Sequence, residues 1–272
     1  MTHIISEDII QQYERDGAVC IRGAVSKAHA TDLLGRIDML ISGRDDRWTT
    51  DRTGGFSDRH LWPEFPWIYE FCANTELPAI AGRLMQSSFA RLFFDHIFIR
   101  DAGTAHATPW HQDRPYWPFQ GRQIASVWVA LAPCKAASSG LRFIRGSHAW
   151  GKTFQPVGFG EKSPSASFLG SNGSFEPMPD FDAETDRYEI LSWDMQAGDA
   201  IVFGAETVHG AASNTGSAER RAAISIRYVG DDARWDPRPG TDPIVTQDKV
   251  STQPGDAPRD DTWFPEVWHA AA

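Results

Sequence analysis

The chain has 272 residues, 41% of them hydrophobic, which allows one large domain with a substantial core or at most two small ones. Its formal net charge of −10 comes without a basic cluster, which argues against nucleic acid or an anionic membrane as a partner. The same acidity disfavours a heavily anionic substrate unless arginines or lysines gather locally.

Ser6, Glu7 and Asp8 lead into Ile9, Ile10 and Tyr13, the pattern of a capped amphipathic helix that stops at Asp16-Gly17. Residues 18–22 alternate as a strand. Ser26 then stands ready to cap a second helix, with Ala30, Leu33, Leu34, Ile37, Leu40 and Ile41 at helical spacing. Residues 43–66 are rich in Gly, Asp, Arg and Pro and read as a long loop carrying Trp48, Phe56, Trp62 and Phe65. A third helix is expected over about 67–86.

From Phe89 the pattern turns to strands, expected at 91–100, 107–113, 123–132, 141–145, 188–194, 200–204, 207–211 and 221–229. Helices first and short strands after predict a mainly β fold: a jelly-roll core (a double-stranded β-helix, cupin-like) with helical support. The chain is read as a single domain, with the helical support over about 1–88, the core over about 89–230 and a tail over 231–272. Residues 155–187 are polar, aperiodic and too long for an ordinary connection, and read as an insertion or lid at the barrel mouth. The tail is rich in Pro and Asp but ends in Trp263-Phe264-Pro265-Glu266-Val267-Trp268, whose aromatics can pin it to the body.

Cys20, Cys72 and Cys134 are odd in number and widely spaced, so no disulfide framework is expected and a reducing, cytoplasmic setting is. The N-terminus shows no basic stretch followed by an apolar one, and no apolar run approaches a membrane span.

The chemistry centres on Thr108-Pro-Trp-His-Gln-Asp113. On a strand, alternate side chains share a face, so His111 and Asp113 would point together with Gln112 turned away. An imidazole beside a carboxylate supplies two of the three ligands of a facial triad for Fe(II). His209, where the segment 198–210 turns at His209-Gly210, is the candidate third. With nine histidines in the chain one such pairing arises easily, and the same ligand set also binds zinc. Downstream, Arg220-Arg221 opens a strand in which Arg221, Ala223, Ser225 and Arg227 share one face, and Arg220, Ala222, Ile224, Ile226 and Tyr228 the other. An inward arginine followed by small residues leaves room for a ligand and offers a bidentate fork to a carboxylate.

Taken in order over nearly the whole length, these motifs resemble the phytanoyl-CoA dioxygenase family of Fe(II)/2-oxoglutarate oxygenases. Tyr13-Glu-Arg-Asp-Gly17 is similar to its Phe/Tyr-x-x-Asp-Gly, and Pro109-Trp-His-Gln-Asp113 resembles its first two metal ligands. Trp128 is similar to the tryptophan beside the oxoglutarate pocket. Gly140-Leu-Arg-Phe-Ile-Arg-Gly-Ser-His148 resembles the family's glycine-serine-histidine turn, with Ser139 in place of the usual Asn. His209-Gly210 with Asn214 resembles the third ligand and its downstream Asn.

The resemblance implies Fe(II) held by His111, Asp113 and His209, with 2-oxoglutarate and O2 as co-substrates. It implies that the distal carboxylate of 2-oxoglutarate pairs with an arginine, near Trp128 and helped by Thr108 or Ser225. Family spacing from the histidine points to Arg220, whereas counting back from the aromatic at the strand end, and the small residues that follow, favour Arg221. Related halogenases have a small residue where this chain keeps Asp113, so hydroxylation is expected over halogenation, with desaturation, ring formation and epimerisation left open. The expected substrate is a small, partly apolar metabolite. Tyr116, Trp117 and Phe119, with Trp62 and Trp67, either wall its pocket or pack the barrel mouth. Arg114 and Arg122 either meet an anionic group or lie on the surface. No nucleic-acid or membrane partner is expected, and a homo-oligomer is left open. The competing readings are a non-catalytic metal-binding β-barrel and a zinc-dependent cupin-type hydrolase or isomerase. The zinc reading would leave the Arg221 strand without a role.

Overall fold

Helix α1 (Glu7–Asp16) stops because Gly17 turns into the left-handed region at φ 79° and its N–H returns to Tyr13 O. Ser6 occupies the N-cap without making the side-chain cap bond expected of it. After β1 (Ala18–Ile21), Ser26 Oγ caps α2 (Lys27–Ser42) by accepting from His29 N–H at 3.1 Å. A computed structural model describes residues 5–43, 50, 51, 55–105, 107–158, 175–215 and 219–271.

The expected loop over 43–66 contains two strands, β2 (Thr50–Asp51) and β3 (Gly55–Arg59). Gly-Phe-Ser-Asp-Arg has too little apolar alternation to announce a strand; pairing with a long neighbour supplies what propensity lacks. Trp48 lies outside the described residues. The third expected helix is two, α3 (Pro66–Ala73) and α4 (Leu77–Leu84), because Pro78 cannot sit in a helix interior and instead starts a new one.

The strands that follow are β4 (Phe89–Arg100), β5 (Thr108–His111), β6 (Phe119–Gln120), β7 (Ile124–Ala130), β8 (Leu141–Ile144), β9 (Ile190–Leu191), β10 (Ala200–Gly204), β11 (His209–Ala211), β12 (Arg221–Val229), β13 (Arg234–Trp235) and β14 (Glu266–His269). One antiparallel sheet runs β1-β10-β7-β12-β4-β3-β2, with β14 added to β4; a second runs β5-β11-β8-β9. This is the expected mainly β jelly roll, with four supporting α-helices among the described residues.

Alternation along β12 divides the molecule. Ala222, Ile224, Ile226 and Tyr228 join Leu33, Ile37, Ile68 and Leu84 of the helices in one buried cluster. The Tyr228 hydroxyl donates to Cys72 O at 2.6 Å there. Arg221, Ser225 and Arg227 point the other way, into a cavity that residues of both sheets line. Trp62, expected near the substrate, belongs to the helix-side core instead, with Nε1 donating to Phe93 O at 3.3 Å. Trp67 packs against Phe65 on the same side, and Phe119 is fully buried between Phe93 and Trp235.

Of the expected insertion, 159–174 lies outside the described residues. Beside it, Phe154 and Phe181 are buried with Ile144 and Val208. The tail is held as expected, by Phe264 in an aromatic cluster with Phe93 and Phe119 and by β14 on β4. All three cysteines are free, and no described helix is long and apolar enough to cross a membrane.

Two predictions follow the packing. A Cβ at Gly17 would stand 2.3 Å from His148 Nδ1, whereas one at Gly23, at φ 60°, meets nothing within 4 Å. Gly17→Ala should cost about 2–4 kcal/mol by urea unfolding, against about 1–2 for Gly23→Ala, which carries only the left-handed penalty. Asp95 is fully buried and accepts from the N–H groups of Leu61 and Trp62 at 3.0 and 2.8 Å. Burial pushes its carboxyl up to about 6, with the backbone donors opposing in part. The native state then holds a proton that the unfolded chain releases near pH 4, so stability falls as pH rises from about 4 to about 6. Asp95→Asn keeps the acceptor without the charge; its stability relative to wild type should improve by about 2–3 kcal/mol between pH 4 and pH 7.

Candidate metal centre and adjoining cavity

Pairing of β11 with β5 sets His209 directly opposite His111, with ring centroids 4.1 Å apart. Asp113 arrives by a route the alternation argument did not foresee. The strand ends at His111, and Asp113 has helical backbone angles (φ −74°, ψ −35°) at the start of a 3-10 turn, Arg114–Tyr116. The turn, rather than a shared strand face, brings the carboxylate back. Asp113 Oδ1 lies 3.5 Å from His111 Nε2 and 3.9 Å from His209 Nε2, and one ligand atom from each residue falls within 4.8 Å of the others. All three residues are buried.

Each imidazole is oriented by its other nitrogen. His111 Nδ1 donates to Pro109 O at 2.9 Å, and His209 Nδ1 donates to Thr207 O at 3.0 Å. A carbonyl can only accept, so the proton sits on Nδ1 and the Nε2 lone pair faces Asp113. Burial, with His111 beside it, pushes His209 down to about 3. Burial also penalises the Asp113 carboxylate, but its charged surroundings, the Arg227 guanidinium among them, outweigh it and hold the group well below the usual carboxylate range. Ser126 Oγ donates to Asp113 Oδ2 at 3.1 Å. Neutral imidazole and ionised carboxylate are the forms a divalent metal needs, so the donor set fits the iron that the resemblance implies.

The turn carrying His209 rests on two of the sequence motifs. Thr207 Oγ1 donates to Gly17 O at 2.8 Å, and Ser147 Oγ accepts from Val208 N–H at 2.9 Å. Those motifs also grip each other: Gly146 N–H donates to Asp16 O at 2.9 Å, and Arg145 pairs with the buried Asp16 carboxylate at 2.6 Å. Gln112, turned from the metal centre as expected, donates to Lys152 O and Glu206 O at 3.0 and 2.9 Å and accepts from Phe154 N–H at 2.9 Å.

The centre opens on a cavity of about 380 Å³ lined by Arg221, Trp128, Thr108 and Ser225, four of the residues expected around 2-oxoglutarate. Arg221 is 5% exposed; Nη1 donates to Ser139 O, and Nε has no partner. Burial pushes this guanidinium down to about 10, still cationic at neutral pH. Ser225 Oγ is buried there without a partner too. Both orphaned donors fit a carboxylate. Arg220 points away from the cavity and pairs with Asp38 at 2.7 Å and Asp101 at 3.4 Å. Tyr116 and Trp117 line the cavity, and the Tyr116 hydroxyl donates to Val157 O at 2.7 Å. Arg114 pairs with Glu206 at 3.0 Å, and Arg122 is exposed.

Further lining residues escaped the sequence reading: Ser57 and Arg59 of β3, His96 and Arg100 of β4, and Asp242 of the tail. Arg227 lines it as well. Alternation along β12 sets it on the face of Arg221, and alternation along β4 sets Phe94, His96 and Phe98 on one face, so the signal for these residues lay in the strand period. The contributions of β3 and the tail had none.

The family model described as phytanoyl-CoA dioxygenase matches residues 13–222. The chain is 24% identical to "Dioxygenase ALT11" of Alternaria alternata over 79% of its own length and 68% of that protein. It is 28% identical to "Phytanoyl-CoA dioxygenase domain-containing protein 1" of Danio rerio over 63% of its length and about half, 53%, of the relative. In fold it is similar to the crystal structure of the non-heme α-ketoglutarate-dependent carbocyclase SnoK from nogalamycin biosynthesis, with a TM-score of 0.73, 19% identity and 97% of each chain covered. The chain belongs to the phytanoyl-CoA dioxygenase family of iron- and 2-oxoglutarate-dependent oxygenases.

Proposed function

We propose that this chain hydroxylates a C–H bond of a small, partly apolar metabolite, with His111, Asp113 and His209 holding Fe(II) and Arg221 pairing with the distal carboxylate of 2-oxoglutarate. One observation carries the reading: a buried His-Asp-His set and a buried arginine with an unpartnered Nε wall one cavity. Bound iron and 2-oxoglutarate, with O2, supply an oxidant able to take a hydrogen atom from an unactivated carbon while 2-oxoglutarate leaves as succinate and CO2.

The chain's own residues perform the remaining tasks. Pro109 O and Thr207 O keep both Nε2 atoms free to ligate. Ser126 holds the orientation of Asp113. Arg221 offers a planar fork and Ser225 a hydroxyl to the same carboxylate, with Thr108 and Trp128 beside them. Phe203, Phe94 and Trp117 line the cavity with apolar surface, keeping water from a reactive centre. A carboxylate at Asp113 fills the place that a halide would need, which favours hydroxylation over halogenation. Three free cysteines suit a reducing, cytoplasmic compartment.

His111→Ala should lower Fe(II)-dependent conversion of 2-oxoglutarate to succinate by more than about 100-fold, beyond the loss typical of residues that merely support a ligand. Succinate formation unchanged in that variant would sink the assignment. Arg221→Gln should raise the KM for 2-oxoglutarate at least about 30-fold, the scale of removing one partner of a buried charge pair. Arg220→Gln, which loses a half-exposed ion pair, should stay within about threefold of wild type. A larger effect of Arg220→Gln than of Arg221→Gln, read from initial rates of succinate release, would reverse the choice between them.

A further inference from the structure

The inner face of β12 carries two buried guanidinium groups, Arg221 and Arg227, each 5% exposed. The two residues are six positions apart on the strand, about 20 Å between their Cα atoms. 2-Oxoglutarate, five carbons long, cannot reach both. Arg227 stands opposite Phe94 on β4 and Ser126 on β7, and Ser126 is the residue that donates to Asp113. Its guanidinium lies over the Phe94 ring at 4.6 Å and the Trp117 ring at 5.6 Å. Nη1 donates to Ser225 O at 2.8 Å, and Nε has no partner.

Among the described residues Arg227 forms no salt bridge. The acids nearest to it in the field are engaged elsewhere. Asp113 belongs to the metal centre, Asp95 accepts from two backbone N–H groups, and Asp242 pairs with Arg59 at 2.6 Å. A buried cation without an acidic partner is costly unless something else brings the counter-charge. Burial pushes the Arg227 guanidinium down to about 10, leaving it charged at neutral pH.

We propose that Arg227 anchors the substrate, and that the substrate carries a carboxylate that pairs with this guanidinium at the end of the cavity opposite Arg221. The proposal rests on the oxygenase reading, because Arg221 must be taken by 2-oxoglutarate for Arg227 to be left to the substrate. A monoanion fits and a phosphate does not: Arg59 is already neutralised by Asp242, and Asp113 repels a second negative charge. The flanking Phe94 and Trp117 fix the guanidinium plane and give the apolar part of the substrate a surface to lie on. The carbon that is oxidised is then set by its distance from the carboxyl group. The overall acidity of the chain is no obstacle, because four arginines, Arg59, Arg100, Arg221 and Arg227, gather around this one cavity.

The test uses the full chain loaded anaerobically with Fe(II) and saturating 2-oxoglutarate, titrated by calorimetry. The probes are hexanoate, cyclohexanecarboxylate, phenylacetate and 3-phenylpropanoate, each beside its primary amide. At least one acid should bind about tenfold or more tightly than its amide, the margin of a charge-assisted pair. Arg227→Gln should erase that preference, and Arg227→Lys, which keeps the charge and guards against a folding failure, should retain part of it. Arg221→Gln should keep the preference while weakening 2-oxoglutarate. Acids that bind no better than amides to wild type, or a preference that survives Arg227→Gln, would overturn the anchor. Succinate release once the same preparations are exposed to O2 separates the two readings. If succinate forms and no acid outbinds its amide, the anchor fails alone. If acids bind through Arg227 and no succinate forms, the oxygenase reading fails.

Discussion

The opposition of His209 and His111 across the β5–β11 pair is the constraint on which the site depends. It places two imidazoles within reach of one ion, but only because each ring spends its Nδ1 proton on a carbonyl two residues back. Asp113 can join them because the chain leaves the strand at His111 and coils. Strand pairing, backbone carbonyls and a short turn thus make a ligand set from segments almost a hundred residues apart. The turn that carries His209 is in its place because Gly17 and Ser147 hold the two residues before it.

The charge balance of the whole chain and that of its cavity have opposite signs. The acids are spread through the chain and outnumber the bases, 36 to 26, yet four arginines point inward to the same space. Long-range fields outside a protein follow net charge, whereas recognition inside a low-dielectric pocket follows the few groups that face it. An acidic protein can therefore house an anion-binding interior. β12 makes this possible by alternation, giving apolar side chains to the helices on one face and guanidinium groups to the cavity on the other.

Much of this could be read from the chain. The helix ends at Gly17 and Ser26, most of the core strands and the two faces of β12 follow from periodicity and capping. The His-Gln-Asp triplet and His209 stood out by residue type, and the structure brings them together. The separation of Arg221 from Arg220 by strand face leaves the first buried and the second ion-paired with Asp38. What escaped were features that local sequence does not encode. β3 is polar and weakly patterned, and exists because β4 offers it a partner. The break between α3 and α4 was written in Pro78 but overridden by the apolar spacing around it. Trp62 was drawn toward the substrate by its residue type, whereas its environment is decided by the turn that Asp95 holds.

The tail adds a wall to the cavity through Gly240, Thr241, Asp242 and Pro243, and Asp242 ties that wall to Arg59 of β3. The match to the family ends at residue 222, so this wall is built from chain that the family does not specify. The metal centre draws on neither partner of that ion pair. This part of the cavity wall can therefore change in sequence without touching any of the three residues of the metal centre.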